Sequence, residues 1–387
     1  LDNSYIYFDH ASTSHPKPPC LWLAIKNYLE TIGASPGRSS HRLSKLAHNQ
    51  IIQTKNLLAR LFHLPKGDNI YFSSNATTGI NLILKGFLKQ YDHVITTNLE
   101  HNSVLRPLEK LKITRSVSYD IVFSDSEGRF QLSEFEKKIT SQTKLFVINH
   151  GSNVIGVTTP IKEIAEICKK YRIKLLVDTA QTAGLIDINL THMDEIDFLA
   201  FTGHKSLLGP SGIGGFYVKD PFCIDTLYEG GTGTNSHTLI HPETPPFKFE
   251  AGTLNYLGIA GLGATVNWLL EQNFLNFFEH EMNITEYCMQ KLQEIEEVIL
   301  YGPRTIESKL PLLSFNLKGF YAGEVSYFLD EQFQICTRPG LQCAPLVHKT
   351  LGTFPHGTVR LSFGHTNTFE EIDYFIQAIK KILSLKK

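Results

Sequence analysis

Through the first two thirds of the chain one unit keeps recurring: a short run of apolar residues, then an amphipathic stretch. The apolar runs are Ile70-Tyr71-Phe72, Val94-Ile95-Thr96-Thr97, Leu145-Phe146-Val147-Ile148, Lys174-Leu175-Leu176-Val177-Asp178 and Phe198-Leu199-Ala200-Phe201. A strand that is apolar on both faces must be covered on both faces, and helices between strands supply that cover while returning the chain for parallel pairing. Residues 80–84 follow a Ser/Asn/Thr cluster with a helical pattern, and residues 161–171 do so after Pro160. The expected fold is therefore α/β, with a mostly parallel central sheet and helices on both sides. After Gly252 the texture changes. Helices are expected at 259–271, 274–295, 324–329 and 369–383, with strands at 312–317 and 358–363. That is an α+β unit, so the expected division is 15–257 for a large domain and 1–14 with 258–387 for a smaller one.

Length agrees with more than one unit: 387 residues, at about 150 per domain, give two to three. Lys and Arg number 37 against 38 Asp and Glu, a net charge of -1. A protein built to bind nucleic acid is expected to carry a basic excess, and none is present. No apolar run reaches the roughly 18 to 20 residues that a bilayer demands. Residues 1–5 lack the basic and then apolar profile of a signal peptide, and the absent initiator Met points to a missing short leader or tag. The 6 cysteines are scattered without a CxxC pair, which reads as reduced thiols in a cytoplasmic protein.

The sharpest segment is Thr202-Gly203-His204-Lys205. A lysine just past a buried strand sits where doubly wound sheets place their ligands, and lysine is the side chain that forms Schiff bases with carbonyl compounds. Taken alone, it also fits a solvated loop side chain. Asp178 ends the strand that lies 27 residues earlier. A carboxylate there is costly unless it meets a cation, which a pyridinium nitrogen would supply, or unless it caps the following helix. Residues 73–81, Ser-Ser-Asn-Ala-Thr-Thr-Gly-Ile-Asn, offer hydroxyls and free N–H groups at a helix start, a phosphate cradle or a plain cap. His101 follows another strand, where an imidazole can lie against a planar cofactor.

Together these segments resemble the fold-type-I pyridoxal-phosphate enzymes of the class V aminotransferase family, and among them the cysteine desulfurases. The resemblance runs from Tyr7-Phe8-Asp9-His10-Ala11-Ser12 to Arg360-Leu361-Ser362. Its further motifs are Asn149-His150-Gly151-Ser152-Asn153-Val154-Ile155-Gly156, Val177-Asp178-Thr179-Ala180-Gln181, Phe249-Glu250-Ala251-Gly252-Thr253 and Arg338-Pro339-Gly340-Leu341-Gln342-Cys343-Ala344-Pro345. The resemblance implies that Lys205 holds pyridoxal phosphate covalently and that Asp178 pairs with its ring nitrogen. It implies that His101 stacks on the ring and moves protons, and that Asn153 and Gln181 bond the phenolic oxygen. Ala76, Thr77, Thr202 and His204 would cradle the phosphate, with Thr253 contributed across a homodimer interface. Arg360, with Asn153, would hold the substrate carboxylate, a task suited to a planar guanidinium.

By the same resemblance Cys343 takes sulfur from L-cysteine as a persulfide, alanine leaves, and the sulfur passes to an acceptor or iron–sulfur scaffold protein. Such a thiol should be exposed and near cations such as Arg338. The alternatives are a carbon–sulfur lyase, a selenocysteine lyase or a class V aminotransferase in which Cys343 is incidental. Gln342 stands where many relatives carry His, and Pro339 stiffens a loop expected to move. The glycines of Gly212-Ile213-Gly214-Gly215 and of Gly258, Gly261 and Gly263 read as turns and close packing, since neither segment makes a dinucleotide fingerprint. No metal is expected, because Cys343 and His348 alone are too few ligands.

Overall fold

The computed structural model describes residues 5–36, 41–234 and 236–385; residues 1–4, on which most of the leader reading falls, lie outside them. The chain opens with β1 (Ile6–Tyr7), α1 (Pro19–Asn27), α2 (Arg42–Leu61), β2 (Ile70–Ser73), α3 (Ala76–Phe87), β3 (His93–Thr97), α4 (Asn102–Arg115) and β4 (Ser118–Val122). It continues through α5 (Leu132–Lys137), β5 (Thr143–Asn149), α6 (Ile161–Tyr171), β6 (Lys174–Asp178), β7 (Phe198–Thr202) and β8 (Gly214–Val218). Then follow α7 (Tyr256–Glu271), α8 (Phe274–Gln293), β9 (Val298–Tyr301), β10 (Leu312–Leu317), α9 (Ala322–Phe333) and β11 (Ile335–Cys336). The chain closes with β12 (Arg338–Gly340), α10 (Pro345–Leu351), β13 (Thr358–Ser362) and α11 (Phe369–Ser384).

Seven strands form the central sheet in the order β2-β8-β7-β6-β5-β3-β4. Only β8 runs against its neighbours, so the sheet is mostly parallel, as the continuous apolar runs imply. Register aligns Asn149 with Asp178 and Asp178 with Ala200, which puts the carboxyl ends of β5, β6 and β7 side by side. That edge is where a doubly wound sheet leaves room for a ligand.

Residues from the helical side, including Ile259, Leu262, Val266 and Leu269 of α7, join β5 to β7 in one buried apolar cluster, although α7 lies almost wholly beyond residue 257. A second cluster unites Phe8 with Ile284, Phe315, Leu361 and Phe375 around the antiparallel sheet β12-β13-β10-β9. Parallel pairing of β1 with β11 ties the start of the chain to this second body.

The expectation of turns fails at several glycines. Gly214 and Gly215 begin β8, and Gly258, Gly261 and Gly263 lie inside α7. Packing explains both, since a Cβ at Gly263 would collide with Thr54 of α2. A Cβ at Gly215 would lie 2.5 Å from the Phe201 ring and 2.6 Å from the Tyr71 carbonyl oxygen. One at Gly214 would meet the Asn75 Cα at 2.9 Å, so this glycine lets the start of α3 approach the sheet edge. Because neither ring nor backbone can move away cheaply, Gly215→Ala should lower stability by about 1–3 kcal/mol. Urea unfolding measures this, and an unchanged midpoint would show that the strand pair relaxes freely.

Candidate active site

A cavity of about 290 Å³ opens at the carboxyl edge of the sheet. Asp178 at the end of β6 and Lys205 just past β7 face into it. So do Ala76 and Thr77 at the start of α3, His101, Asn153, Gln181, Thr202 and His204. Nine residues singled out in the sequence thus converge on one space. Asn75, part of the 73–81 segment read as a cradle or cap, also lines it, as do Ser103, Asn149, Gly151 and Ala180, for which no individual role was read in advance. Asn75 had a visible signal, since its side chain caps α3 by accepting from the Thr78 N–H at 3.0 Å.

Burial sets the electrostatics. It pushes the Asp178 carboxyl above the usual carboxylate range, opposed by the Ala180 N–H at 2.9 Å, the Lys205 charge and the Ser103 hydroxyl. It pulls Lys205 down to about 8, with Asp178 and Cys343 pulling back and Arg360 pushing further. Lys205 is ringed by protein yet keeps some accessible surface, because that surface faces the cavity. A carboxylate and an amine each made reluctant to ionise is the setting in which a lysine can act as a nucleophile.

His101 precedes α4 and its Nδ1 accepts the Ser103 N–H at 3.0 Å, which leaves the ring proton on Nε2. Burial, followed by the Lys205 charge, lowers it to about 4, and His204 is lowered to about 4 for the same two reasons. Both imidazoles are neutral near neutral pH. The carbonyl of His204, next to Lys205, is gripped by the Ser14 N–H at 3.0 Å, the Thr13 hydroxyl at 3.1 Å and Lys17 Nζ at 2.8 Å. The N-terminal segment therefore fixes the turn that aims the lysine.

Arg360 in β13 is buried beside the cavity and not on its wall. Its Nη2 donates to Asp9 Oδ1 at 2.8 Å and Ser12 Oγ at 2.7 Å, and Nη1 donates to the Asn153 carbonyl at 2.9 Å. Nε is left without a partner. Asp9 and Ser12 belong to a motif already quoted, yet nothing local signals that they hold an arginine 351 residues away. Cys343 is exposed, and it interacts electrostatically with Lys205. Thr253 is exposed and lies outside this chain's own cavity.

The residues fit pyridoxal phosphate on structural grounds. Thr202 Oγ1 and Asn153 Oδ1 are buried on the cavity wall without partners, so a polar ligand is needed to satisfy them. The α3 N-terminus presents free N–H groups to an anion, while a buried carboxylate and an amine stand ready for a basic nitrogen and an aldehyde. No group of three or more His, Cys, Asp or Glu that could hold a metal occurs among the described residues. Nor does any described helix have the length and apolarity to cross a membrane.

A lysine-bearing cavity at the carboxyl edge of such a sheet is the arrangement expected of a fold-type-I pyridoxal-phosphate enzyme. Comparison with known proteins narrows the class. The family model "Aminotransferase class-V" matches residues 6–375, and the chain belongs to that family, whose members depend on pyridoxal phosphate. A probable cysteine desulfurase of Borreliella burgdorferi is 33% identical, the match covering 99% of this chain and 93% of the relative. One of Pyrococcus abyssi is 32% identical over 99% of this chain and 95% of its own length. The apo structure of cysteine desulfurase from Thermococcus onnurineus NA1 superimposes with a TM-score of 0.91 at 32% identity, covering 99% of this chain and 95% of that one.

Glu100 was not singled out in advance. It has no accessible surface, and its Oε1 accepts from the Thr97 hydroxyl at 2.8 Å and the Asn149 N–H at 2.9 Å, while Oε2 has no partner. Burial, with the nearby Asp178 charge adding to it, pushes Glu100 up to about 8, so it carries a proton at neutral pH. Below its ordinary value of 4.5 both folded and unfolded chains hold that proton and no cost arises. As pH rises from there toward 8 the unfolded chain ionises first and stability is lost. Glu100→Gln should therefore gain stability relative to the parent as pH rises through this window. Denaturant titrations at several pH values test it, and a pH-independent difference would refute it.

Proposed function

We propose that this protein is a cysteine desulfurase, converting L-cysteine to L-alanine while its own Cys343 becomes a persulfide. The observation that carries the reading is an exposed thiol whose loop is docked on the rim of a lysine-bearing cofactor cavity. The Cys343 carbonyl accepts from the Asn102 N–H at 2.8 Å, and the Gln342 carbonyl accepts from Asn153 Nδ2 at 2.7 Å. Asn153 lines the cavity, and Asn102 lies between His101 and Ser103, which also line it. The names of the full-length relatives support the same substrate.

Pyridoxal phosphate would be held by Lys205, by Asp178 at its ring nitrogen, by Asn153 and Gln181 at its phenolic oxygen, and by Ala76, Thr77, Thr202 and His204 at its phosphate. Bound there, it supplies the electron sink that lets the substrate's carbon–sulfur bond break. Arg360, its guanidinium fixed beside the cavity by Asp9, Ser12 and Asn153, would receive the substrate carboxylate. Neutral His101 lines the cavity and, with Nδ1 held by the Ser103 N–H, has its Nε2 proton to donate. The Lys205 amine, deprotonated in part near neutral pH, moves the substrate Cα proton. Cys343 Sγ, as thiolate, attacks the substrate sulfur. A sulfur–sulfur bond forms, the bond from sulfur to Cβ breaks, and Cβ takes a proton. Thiol plus cysteine thus becomes persulfide plus alanine, with no external oxidant or reductant.

We further propose a large unit of residues 15–257 and a smaller one of 1–14 with 258–387, the smaller bringing Arg360 and Cys343 up to the cavity built by the larger. In a homodimer, Thr253 of the partner subunit would complete the phosphate site, which accords with Thr253 being exposed here. An intracellular location fits the free state of all six cysteines, and the persulfide would pass to an acceptor protein for iron–sulfur cluster or thiocofactor synthesis. Cys343→Ala should keep the cofactor's absorbance but release no alanine from L-cysteine and form no persulfide. Continued turnover in that variant would place the protein among direct β-eliminating lyases.

A further inference from the structure

The turn that carries Cys343 is held in an unusual shape. Gln342 and Cys343 both have positive φ, 40° and 60°. Left-handed backbone is unfavourable for any residue with a Cβ, and two such residues in succession need support from outside the turn. Part of that support is the pair of carbonyl bonds to Asn153 and Asn102. The rest comes from the Gln342 side chain, which is 7% exposed and points away from the cavity into the small unit. Its Nε2 donates to the Thr358 carbonyl at 2.9 Å and the Arg338 carbonyl at 3.2 Å. Its Oε1 accepts from His348 Nε2 at 3.0 Å. His348 is fully buried in α10, and its Nδ1 is taken by the Thr353 hydroxyl at 2.8 Å. Burial lowers His348 to about 4, so it is neutral and has a single proton to give.

The geometry points to Gln342 as the positioning residue for Cys343: its amide, bonded to the carbonyls of β12 and β13 on one side and to His348 on the other, holds the left-handed turn that presents the thiol to the cavity. The inference deepens the desulfurase reading and rests on it for the part that concerns turnover. Its chemistry is specific. One planar group must offer two donors and an acceptor at the end of two methylenes, which glutamine does. A histidine here has one donor and one acceptor when neutral and cannot satisfy both carbonyls and His348 together. The glutamine at this position is therefore matched to His348, Arg338 and Thr358 of this chain.

The test uses the full-length, cofactor-loaded protein and the variants Gln342→Ala, Gln342→His and His348→Phe. Hydrogen–deuterium exchange of the peptide spanning 338–348 should rise by about fivefold or more in Gln342→Ala, the factor set by losing a net hydrogen bond. Single-turnover persulfide formation on Cys343 should slow by about tenfold or more as the thiol loses its alignment. KM for L-cysteine and the cofactor absorbance should not change. Gln342→His should show the same pair of changes, and His348→Phe a smaller version of both. If Gln342→Ala does not fold, the other two variants decide. Parental exchange and parental persulfide formation in the folded variants would overturn the inference. If the unsubstituted protein forms no persulfide from cysteine, the desulfurase reading fails, while the exchange comparison still judges the positioning role.

Discussion

Two desolvated charges facing one cavity set the terms for the rest of this structure. Burial opposes ionisation of Asp178 and of Lys205; Asp178 is the main support of the lysine's charge, while the carboxylate is supported first by the Ala180 N–H and then by Lys205. Such a pair is costly to maintain in a protein interior unless a ligand engages both ends. The seven-stranded sheet supplies the means, because parallel register brings the ends of β5, β6 and β7 level and their side chains emerge into a common space.

Around that pair, contacts distant in sequence do the aiming. Donors from residues 13–17 converge on the carbonyl beside Lys205, and Asp9 and Ser12 fix the guanidinium of Arg360. The N-terminal segment thus touches both the His204 carbonyl next to Lys205 and the Arg360 guanidinium, although β1 pairs with β11. Removing it would loosen two parts of the site at once. The Cys343 turn is docked in the same manner, through Asn102 and Asn153 on the cavity side and His348 on the other.

Much of this was legible in the sequence because the local patterns are strong. Ile161–Tyr171 and Lys174–Asp178 fall where the apolar periodicity puts them, and each cavity residue read in advance lies at a strand end, within a few residues past one, or at a helix start. Other elements leave little trace. The edge strand Ser118–Val122 is only partly buried and lacks a continuous apolar run, and β8 opens with two glycines that imitate a turn. In the site, what stayed hidden was partnership over distance. Asp9 with Arg360, Asn102 with Cys343 and Gln342 with Thr358 depend on tertiary placement, and a buried Glu100 looks in sequence like any other polar loop residue.

The covalent attachment of the cofactor aldehyde at one lysine among many is the claim on which the chemistry stands. It is tested most directly by loading the protein with pyridoxal phosphate, reducing with borohydride and mapping the modified peptide by mass spectrometry. The account predicts a single stable pyridoxyl adduct on Lys205, formed far more slowly once Asp178 is replaced by Ala. An adduct on another lysine, or none at all, would contradict it.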